Sequence, residues 1–431
     1  MASSIVIVGA GPVGLLLALR LAQSSLPVTI LEALPEIANS PRAMAYLPVA
    51  VAELARAGIL DECRRRGTAG RKICWRRLDG GVIAEMERVG VVREKEEEKE
   101  GEGEGEGDRD GQGEAEYENL VLGQQVLAEI ILKRLEGLKG VRVLFGKKVV
   151  EVLQRGEGSA EGSVVVVTQS SDGEERFEAA YVVGADGGRS SVRKLIGVEW
   201  EGFTWPEQLV ATNVYYPFDK YGYYDANFIC DKDHWALIAK VTKDGMWRVS
   251  YGEPGHLSYD ELKQRQPMKY NALFPGPKPL DYTLTMWSPY KIHQRCAATF
   301  RVGRVLLAGD AAHLCNPFGG LGLTSGLLDA GALADSLIAR LHGTASDAIL
   351  DVYAATRRAV FKDVVDPMSA ANKLRLHAYD GDVDSLGDSD GFLQLVKSAT
   401  REEKGRMMVE GVRGLRVDMR GFLEEAVAGV E

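Results

Sequence analysis

Residues 4–32 leave this chain few folds to choose from. Ile5, Val6, Ile7 and Val8 are an unbroken apolar run that predicts a buried strand, and they lead directly into Gly9-Ala10-Gly11-Pro12-Val13-Gly14. The apolar stretch that follows, to Gln23, reads as a helix. Residues 28–31 read as a second buried strand, ending in Glu32. Each residue type has a task in such a unit. Gly9 permits a tight turn, Gly11 lets a pyrophosphate touch the backbone, and Gly14 lets helix and strand pack closely. Glu32 is placed to accept hydrogen bonds from both hydroxyls of an adenosine ribose and would repel a 2′-phosphate. The pattern therefore predicts a dinucleotide-binding α/β unit suited to FAD or NAD.

A second constraining stretch lies far away, at residues 302–334. Val305, Leu306 and Leu307 predict a short buried strand, followed by Gly309-Asp310, a glycine-rich turn, and a helix from about Leu321. A carboxylate at a strand end can accept hydrogen bonds from a polyol. The helix after it brings a partly positive N-terminus towards a ligand. Gly319, Gly320 and Gly322 would let the backbone approach a flat ring. Between the two stretches, residues 182–193 read as a strand, a tight turn carrying Asp186 and Gly187, and a short helix bearing Arg189 and Arg193. Gln124 opens an amphipathic helix with Leu127, Ile131 and Leu135 at helical spacing, and Gln125 is its rival for the same position.

Three patterns in this order resemble the para-hydroxybenzoate hydroxylase-like, single-component FAD-dependent aromatic monooxygenases. The similarity rests on G-x-G-x-x-G with Glu32, on Asp186-Gly187 with Ser190 and Arg193 in the pattern D-G-x-x-S-x-x-R, and on Gly309-Asp310 through Pro317 to Asp329-Ala330. It implies a Rossmann-like FAD-binding α/β domain interleaved with an antiparallel β-sheet substrate domain, and a helical C-terminus. It implies that Arg42 reaches the flavin's phosphates or ring, that Gln124 contacts its diphosphate and ribityl chain, that Asp186 and Gly187 serve the flavin and the nicotinamide pathway while Arg193 helps set that region's structure and charge, and that Asp310 binds the ribityl chain. Gly309, Gly320, Leu321 and Gly322 would face the ring, with Pro317 shaping the floor beside the reacting carbon and His313 as a further catalytic candidate or a support of the turn. The expected cofactor is non-covalent FAD, with NAD(P)H, O2 and a small aromatic molecule as substrates and a flavin C4a-hydroperoxide as the oxygenating species. A flavin halogenase or reductase of the same superfamily, or a flavin-binding protein without turnover, remain alternatives. One departure touches the ring contacts: Gly319-Gly320-Leu321-Gly322-Leu323-Thr324 stands where many members read G-G-Q-G-x-N.

Composition narrows the remaining classes. The net charge of −10 is concentrated at residues 94–118, which hold thirteen acids and three bases. The rest of the chain is balanced, so no basic footprint points to nucleic acid. Residues 91–118 are acidic, glycine-rich and nearly devoid of apolar side chains, which predicts a disordered insertion. Five scattered cysteines without a C-x-x-C pair fit a reducing compartment and suggest no metal site. No leader or membrane anchor is expected, nor the thioredoxin-like C-terminal domain of the phenol hydroxylase branch. The expectation is a cytoplasmic monomer or homodimer.

The predicted organisation is FAD-binding parts at 1–75, 119–200 and 302–345, a β excursion with the acidic insert at 76–118, a substrate-binding sheet at 201–301, and C-terminal helices at 346–431. Short strands at 141–145, 149–153, 164–168 and 177–183 predict a meander over the dinucleotide fold. Residues 200–301 are rich in aromatics, and the alternation in 209–216 places Ala211, Asn213 and Tyr215 on one face. Asn213 and Tyr215 are the candidate substrate contacts.

Overall fold

The strand Ile5–Val8 lies near the middle of a six-stranded sheet in the computed structural model, which describes residues 4–38, 45–70, 72–87, 117–156, 162–171, 173–377 and 385–422. Arg42 and residues 88–116, which hold most of the acidic stretch, fall outside these described residues. Across the sheet the order is Arg301–Val302, Val305–Leu307, Tyr181–Gly184, Ile5–Val8, Val28–Leu31 and Val141–Leu144. All neighbours run parallel except the short edge strand Arg301–Val302. The inner parallel strands Ile5–Val8, Tyr181–Gly184 and Val305–Leu307 are buried throughout because both faces are covered, whereas the outer strand Val141–Leu144 carries the exposed Arg142. The helices Pro12–Gln23 and Leu321–Leu341 pack against each other, and a three-stranded antiparallel sheet contributes Val164, Val166 and Phe177 to the same core. Helix Leu321–Leu341 has the length and apolarity of a membrane span, but its most apolar window is 78% buried within the protein. It is the core helix of the fold.

The segment at 141–145 departs from expectation. It does not join the meander but forms the outer strand of the parallel sheet, in register with Val28–Leu31. The meander consists instead of Lys148–Arg155, Ser163–Ser170 and Gly173–Ala179.

A second sheet has eight strands, ordered His313–Leu314, Thr283–Ala297, Trp200–Tyr215, Met246–Pro254, Ala236–Lys240, Ala226–Cys230, Lys72–Arg77 and Val82–Glu87. Three of these strands lie outside residues 201–301. Lys72–Arg77 pairs in parallel with Ala226–Cys230, and His313–Leu314 comes from the flavin-type turn itself. One face is closed by the helix Tyr259–Leu273, which starts at a Ser258/Glu261 capping box, and together they bury Trp247, Tyr251, Phe218, Tyr270 and Phe274. Much of the aromatic content of this region thus fills a core. The other face buries Leu209, Phe228, Trp235 and Ile292 against Phe318, Leu376 and Leu393. The helical run after Ala348 is nearly continuous: Ala348–Val360, one wider π turn, then Asp366–Leu376 with a proline in its first turn.

Candidate functional site

Parallel strands in register end together. Val8 pairs with both Leu31 and Gly184, and Gly184 pairs with Leu307. The segments that follow these four strand ends, led by Gly9, Glu32, Asp186 and Gly309-Asp310, therefore share one edge of the sheet. That carboxyl edge is where open α/β sheets receive ligands.

The glycines there separate into two kinds. A Cβ on Gly9, at φ +110°, would stand 2.4 Å from the Ala185 carbonyl oxygen, and one on Gly14 would stand 2.2 Å from that of Gly9. Those two let protein pack on protein. A Cβ on Gly11 or Gly187 would meet nothing within 4 Å. Gly11 is also the N-cap of helix Pro12–Gln23 with no side chain capping it. This is the open cradle that a pyrophosphate requires. The Glu32 carboxylate accepts from the backbone N–H of Ala10 at 2.8 Å and of Leu34 at 2.9 Å, so it also steadies the glycine turn. Gln124 opens helix Gln124–Leu135, which likewise lacks a side-chain cap, whereas Gln125 is engaged along the helix with Glu129 at 3.0 Å.

The middle motif is largely a brace. Asp186 accepts from Ser190 Oγ at 2.5 Å and from the N–H groups of Ser191 (2.6 Å) and Val192 (3.2 Å), closing the start of helix Ser191–Leu195. Burial raises its pKa, outweighing these hydrogen bonds. Arg193 donates to the Ala311 carbonyl at 2.7 Å and to that of Gly188 at 2.9 Å, and it lies over the Trp200 ring. Its guanidinium ties the Asp186 motif to the Gly309-Asp310 turn through protein carbonyls.

His313 lies behind this turn. It is 1% exposed, its Nε2 lies 2.7 Å from Asp329 Oδ2, and its ring stacks on Phe361. Asp329 also accepts from the Gly309 N–H at 2.9 Å and from Arg357 Nε at 2.7 Å. Burial alone would raise the pKa of Asp329; His313 and Arg357 outweigh it and hold the carboxyl below its ordinary value. His313 thus fixes the turn from behind.

In front of this cluster, Gly320 at φ +70° starts helix Leu321–Leu341 without a side-chain cap, and its Cα faces the Ala45 carbonyl. The preceding loop is pinned by Gln294 of the large sheet. Its Oε1 accepts from the Asn316 N–H (2.7 Å) and Nδ2 (3.1 Å), while its Nε2 donates to Asp366 Oδ1 (2.5 Å) and Ser369 Oγ (3.0 Å). Asn372 holds the Phe318 carbonyl at 3.3 Å. Pro317, half-buried, sits between these two ties.

The sheet face towards this loop carries Leu209, Ala211 and Asn213, as the alternation predicts. Asn213 accepts from Arg248 Nε at 3.0 Å. Tyr215 ends the strand, is 37% exposed, and donates its hydroxyl to Asp244 at 3.1 Å on a surface turn. Sequence reasoning missed Gln294, Arg357 and Arg248, and it quoted Asp329 within the third motif without giving it a role. Only Arg248 had a local signal, the alternation of Arg248 and Ser250 against Trp247 and Tyr251.

A nucleotide cradle at the carboxyl edge of a parallel sheet, roofed by an antiparallel sheet, defines a flavoprotein oxygenase architecture. The pattern of the family described as FAD binding domain matches residues 2–368, and the chain belongs to that family. It is 40% identical over 369 residues to the para-nitrophenol 4-monooxygenase of Pseudomonas sp. (strain WBC-3), covering 85% of this chain and 86% of that protein. It is 35% identical over 378 residues to the 6-hydroxy-3-succinoylpyridine 3-monooxygenase HspB of Pseudomonas putida (strain DSM 28022 / S16), covering 88% and 90%. The crystal structure of p-nitrophenol 4-monooxygenase PnpA from Pseudomonas putida DLL-E4 superposes with a TM-score of 0.85 at 36% identity, over 96% of this chain and 98% of that one. The chain is an FAD-dependent aromatic monooxygenase.

Proposed function

We propose that this enzyme uses a reduced nicotinamide and O2 to oxygenate a hydroxylated aromatic ring at the carbon para to the hydroxyl. The observation that carries the position is shared by two relatives: oxygenation at position 4 of a phenol, and at position 3 of a 6-hydroxypyridine, are both para to the hydroxyl. A ring hydroxyl, above all when ionised, places electron density on that carbon, which suits an electrophilic oxygen. When bound at this site, FAD would supply the two-electron redox chemistry that couples the nicotinamide and O2 to the ring.

The chain's own residues bind, orient and exclude water. Gly11 and Gly187 admit the cofactor's backbone-hugging parts, Glu32 takes the adenosine ribose, and Asp310 the ribityl hydroxyls. Gln124 lies at the entrance of the diphosphate site. Gly320, Leu321 and Gly322 start a helix whose dipole stabilises negative charge at the ring edge. Pro317 and Phe318, fixed through Gln294 and Asn372, form a dry floor beside the reacting position, where excluded water protects the oxygen transfer from wasteful side reaction.

The test is turnover with 4-nitrophenol beside its 2- and 3-isomers. The reading expects NADH or NADPH oxidation to rise on adding the 4-isomer, with oxygen entering at C4 as the C–N bond breaks, so that 1,4-benzoquinone and nitrite each match the nicotinamide consumed. Oxidation indifferent to every hydroxyarene, or oxygen entering elsewhere on the ring, overturns it.

A further inference from the structure

Behind Phe318 lies a buried charge that neither the cofactor cradle nor the turn at Gly309 uses. Helix Asp366–Leu376 turns one face to the floor loop and the large sheet, with Ser369, Asn372, Lys373 and Leu376 at spacings of three and four residues. Ser369 Oγ accepts from Gln294, Asn372 holds the Phe318 carbonyl, and Leu376 packs in the cluster that contains Phe318. Lys373 is the charged member of this face. Its side chain is fully buried, and its ammonium donates to Glu207 Oε2 at 2.8 Å and lies 3.3 Å from His377 Nδ1. The same ammonium stands over two indoles, 4.4 Å from the ring centre of Trp205 and 5.4 Å from that of Trp235.

Trp235 is the ring on which Phe318 leans. Their ring centres are 5.7 Å apart in an edge-to-face contact, and both residues are buried. The indole rests on Gly252 of the next strand, where a Cβ would stand 2.0 Å from the ring. Leu209 pairs with Gly252 from the other side and belongs to the same cluster as both rings. Trp235 is thus wedged between the sheet and the floor loop, with Lys373 and His377 against it from the helix.

Packing alone gives no reason for a cation here. Burial lowers the Lys373 pKa, with Glu207 opposing that shift, and an apolar side chain of similar length would fill the space without the desolvation cost. What the ammonium adds is direction, because it attracts the faces of two indoles at once, and more strongly out of water. We infer that Lys373, paired with Glu207, is a positioning residue for the oxygenation: it holds Trp235 against Phe318 and thereby fixes the Pro317–Phe318 floor. This rests on the reading of that loop as the floor beside the reacting position. A floor that shifts admits water, so the role is measured by how much of the O2 consumed ends as H2O2 instead of product.

The double variant Lys373→Met/Glu207→Gln removes both charges and keeps their shapes, so the fold should be retained. With 4-nitrophenol, H2O2 per nicotinamide oxidised should rise several-fold, since a desolvated cation–π contact is about a tenfold change in how firmly a ring is held. FAD affinity and melting temperature should stay near wild type, and Lys373→Arg alone, which keeps a cation, should stay close to wild type in H2O2 as well. A readout that needs no substrate is acrylamide quenching of Trp235 emission in the FAD-loaded protein, taken as the difference from Trp235→Phe in each background. That emission should be shielded in the wild type and quenchable in the double variant. Phe318→Ala tests the floor directly and should also waste nicotinamide. Unchanged quenching, or unchanged H2O2 in the double variant beside a wasteful Phe318→Ala, overturns the inference. Unchanged H2O2 in Phe318→Ala removes the floor and the inference with it. Should the double variant fail to fold, Glu207→Gln alone, which leaves the ammonium a neutral partner, decides by the same two readouts. If 4-nitrophenol is not turned over, the proposed reaction fails, while the quenching still decides whether Lys373 holds Trp235.

Discussion

Replacing Asp329 by asparagine should be the most damaging conservative change in the molecule. The carboxylate is fully buried and serves three donors, Arg357 Nε at 2.7 Å, His313 Nε2 at 2.7 Å and the Gly309 N–H at 2.9 Å. The amide keeps the shape but loses the charge, and its NH2 must point at one of these donors. If Oδ1 stays towards Arg357, the Gly309 N–H is orphaned beside another donor. Arg357, itself fully buried, then keeps a charge with no counter-charge at its Nε. Breaking a buried pair costs about 3–5 kcal/mol, a large share of the ~5–15 kcal/mol that holds a domain folded. With an unfolding entropy of about 2.1 cal/mol/K per residue, the whole chain changes by roughly 0.9 kcal/mol per degree, so the melting temperature should fall by about 3–6 °C. The assay is thermal unfolding of the FAD-loaded protein, with released flavin fluorescence followed in the same scan. The turn at Gly309 should loosen first, so flavin release should precede global unfolding in the variant. A melting temperature within 1 °C of wild type would refute the account of Asp329. The pH dependence has a definite sign. Because the Asp329 pKa is depressed in the fold, its contribution is complete above the unfolded value near 4 and is lost as pH falls through the lower folded value. The variant should lack that part of the acid sensitivity.

Gly11→Ala should leave the melting temperature of the apoprotein within about 1 °C, since a Cβ there meets nothing and φ is ordinary, while FAD affinity falls; Gly9→Ala, at positive φ and 2.4 Å from a carbonyl, should yield little soluble protein. Asp310→Ala should weaken FAD binding about ten- to a hundredfold, from the loss of charge-assisted hydrogen bonds worth ~1.5–3 kcal/mol, and more than Glu32→Ala does at the better-solvated adenosine end; fluorescence titration of both variants reads this, and equal affinity of Asp310→Ala and wild type removes the ribityl assignment. Gln294→Leu should retain FAD yet waste reducing power, seen as more H2O2 per nicotinamide oxidised, because the Asn316–Phe318 loop loses its tie to the sheet; an unchanged ratio counts against that tie.

What was legible in the sequence follows from how locally each feature is determined. Gly9 and Gly14 could be assigned because the need for a missing Cβ arises within one strand, turn and helix. Asn213 could be placed on the correct face by alternation, but its task could not, since Arg248 meets it only through antiparallel register thirty-five residues away. Tyr215 obeys the same alternation yet stands at the strand's end beside a surface turn, because alternation fixes a face and not a distance along it. Lys72–Arg77 joins the large sheet by pairing with Ala226–Cys230, a parallel contact across more than 140 residues that no local pattern encodes. Asp186 and Arg193 show the converse: the motif was plain, yet the hydrogen bonds of both side chains run to the protein around them.

The position of Leu415 bears on how such enzymes diversify. The family pattern ends at residue 368, yet the Leu415 carbonyl accepts from Arg357 Nη1 at 2.6 Å, Arg357 holds Asp329, and Asp329 holds the Gly309 N–H. Three consecutive hydrogen bonds thus connect the C-terminal tail to the turn that begins the third nucleotide motif. The tail is therefore not free to be exchanged between relatives as a separate cassette. A chimera that imports a foreign tail must also import a carbonyl at this place, and a protease cut near residue 414 would be felt at the cofactor before it was felt in the helices it severed.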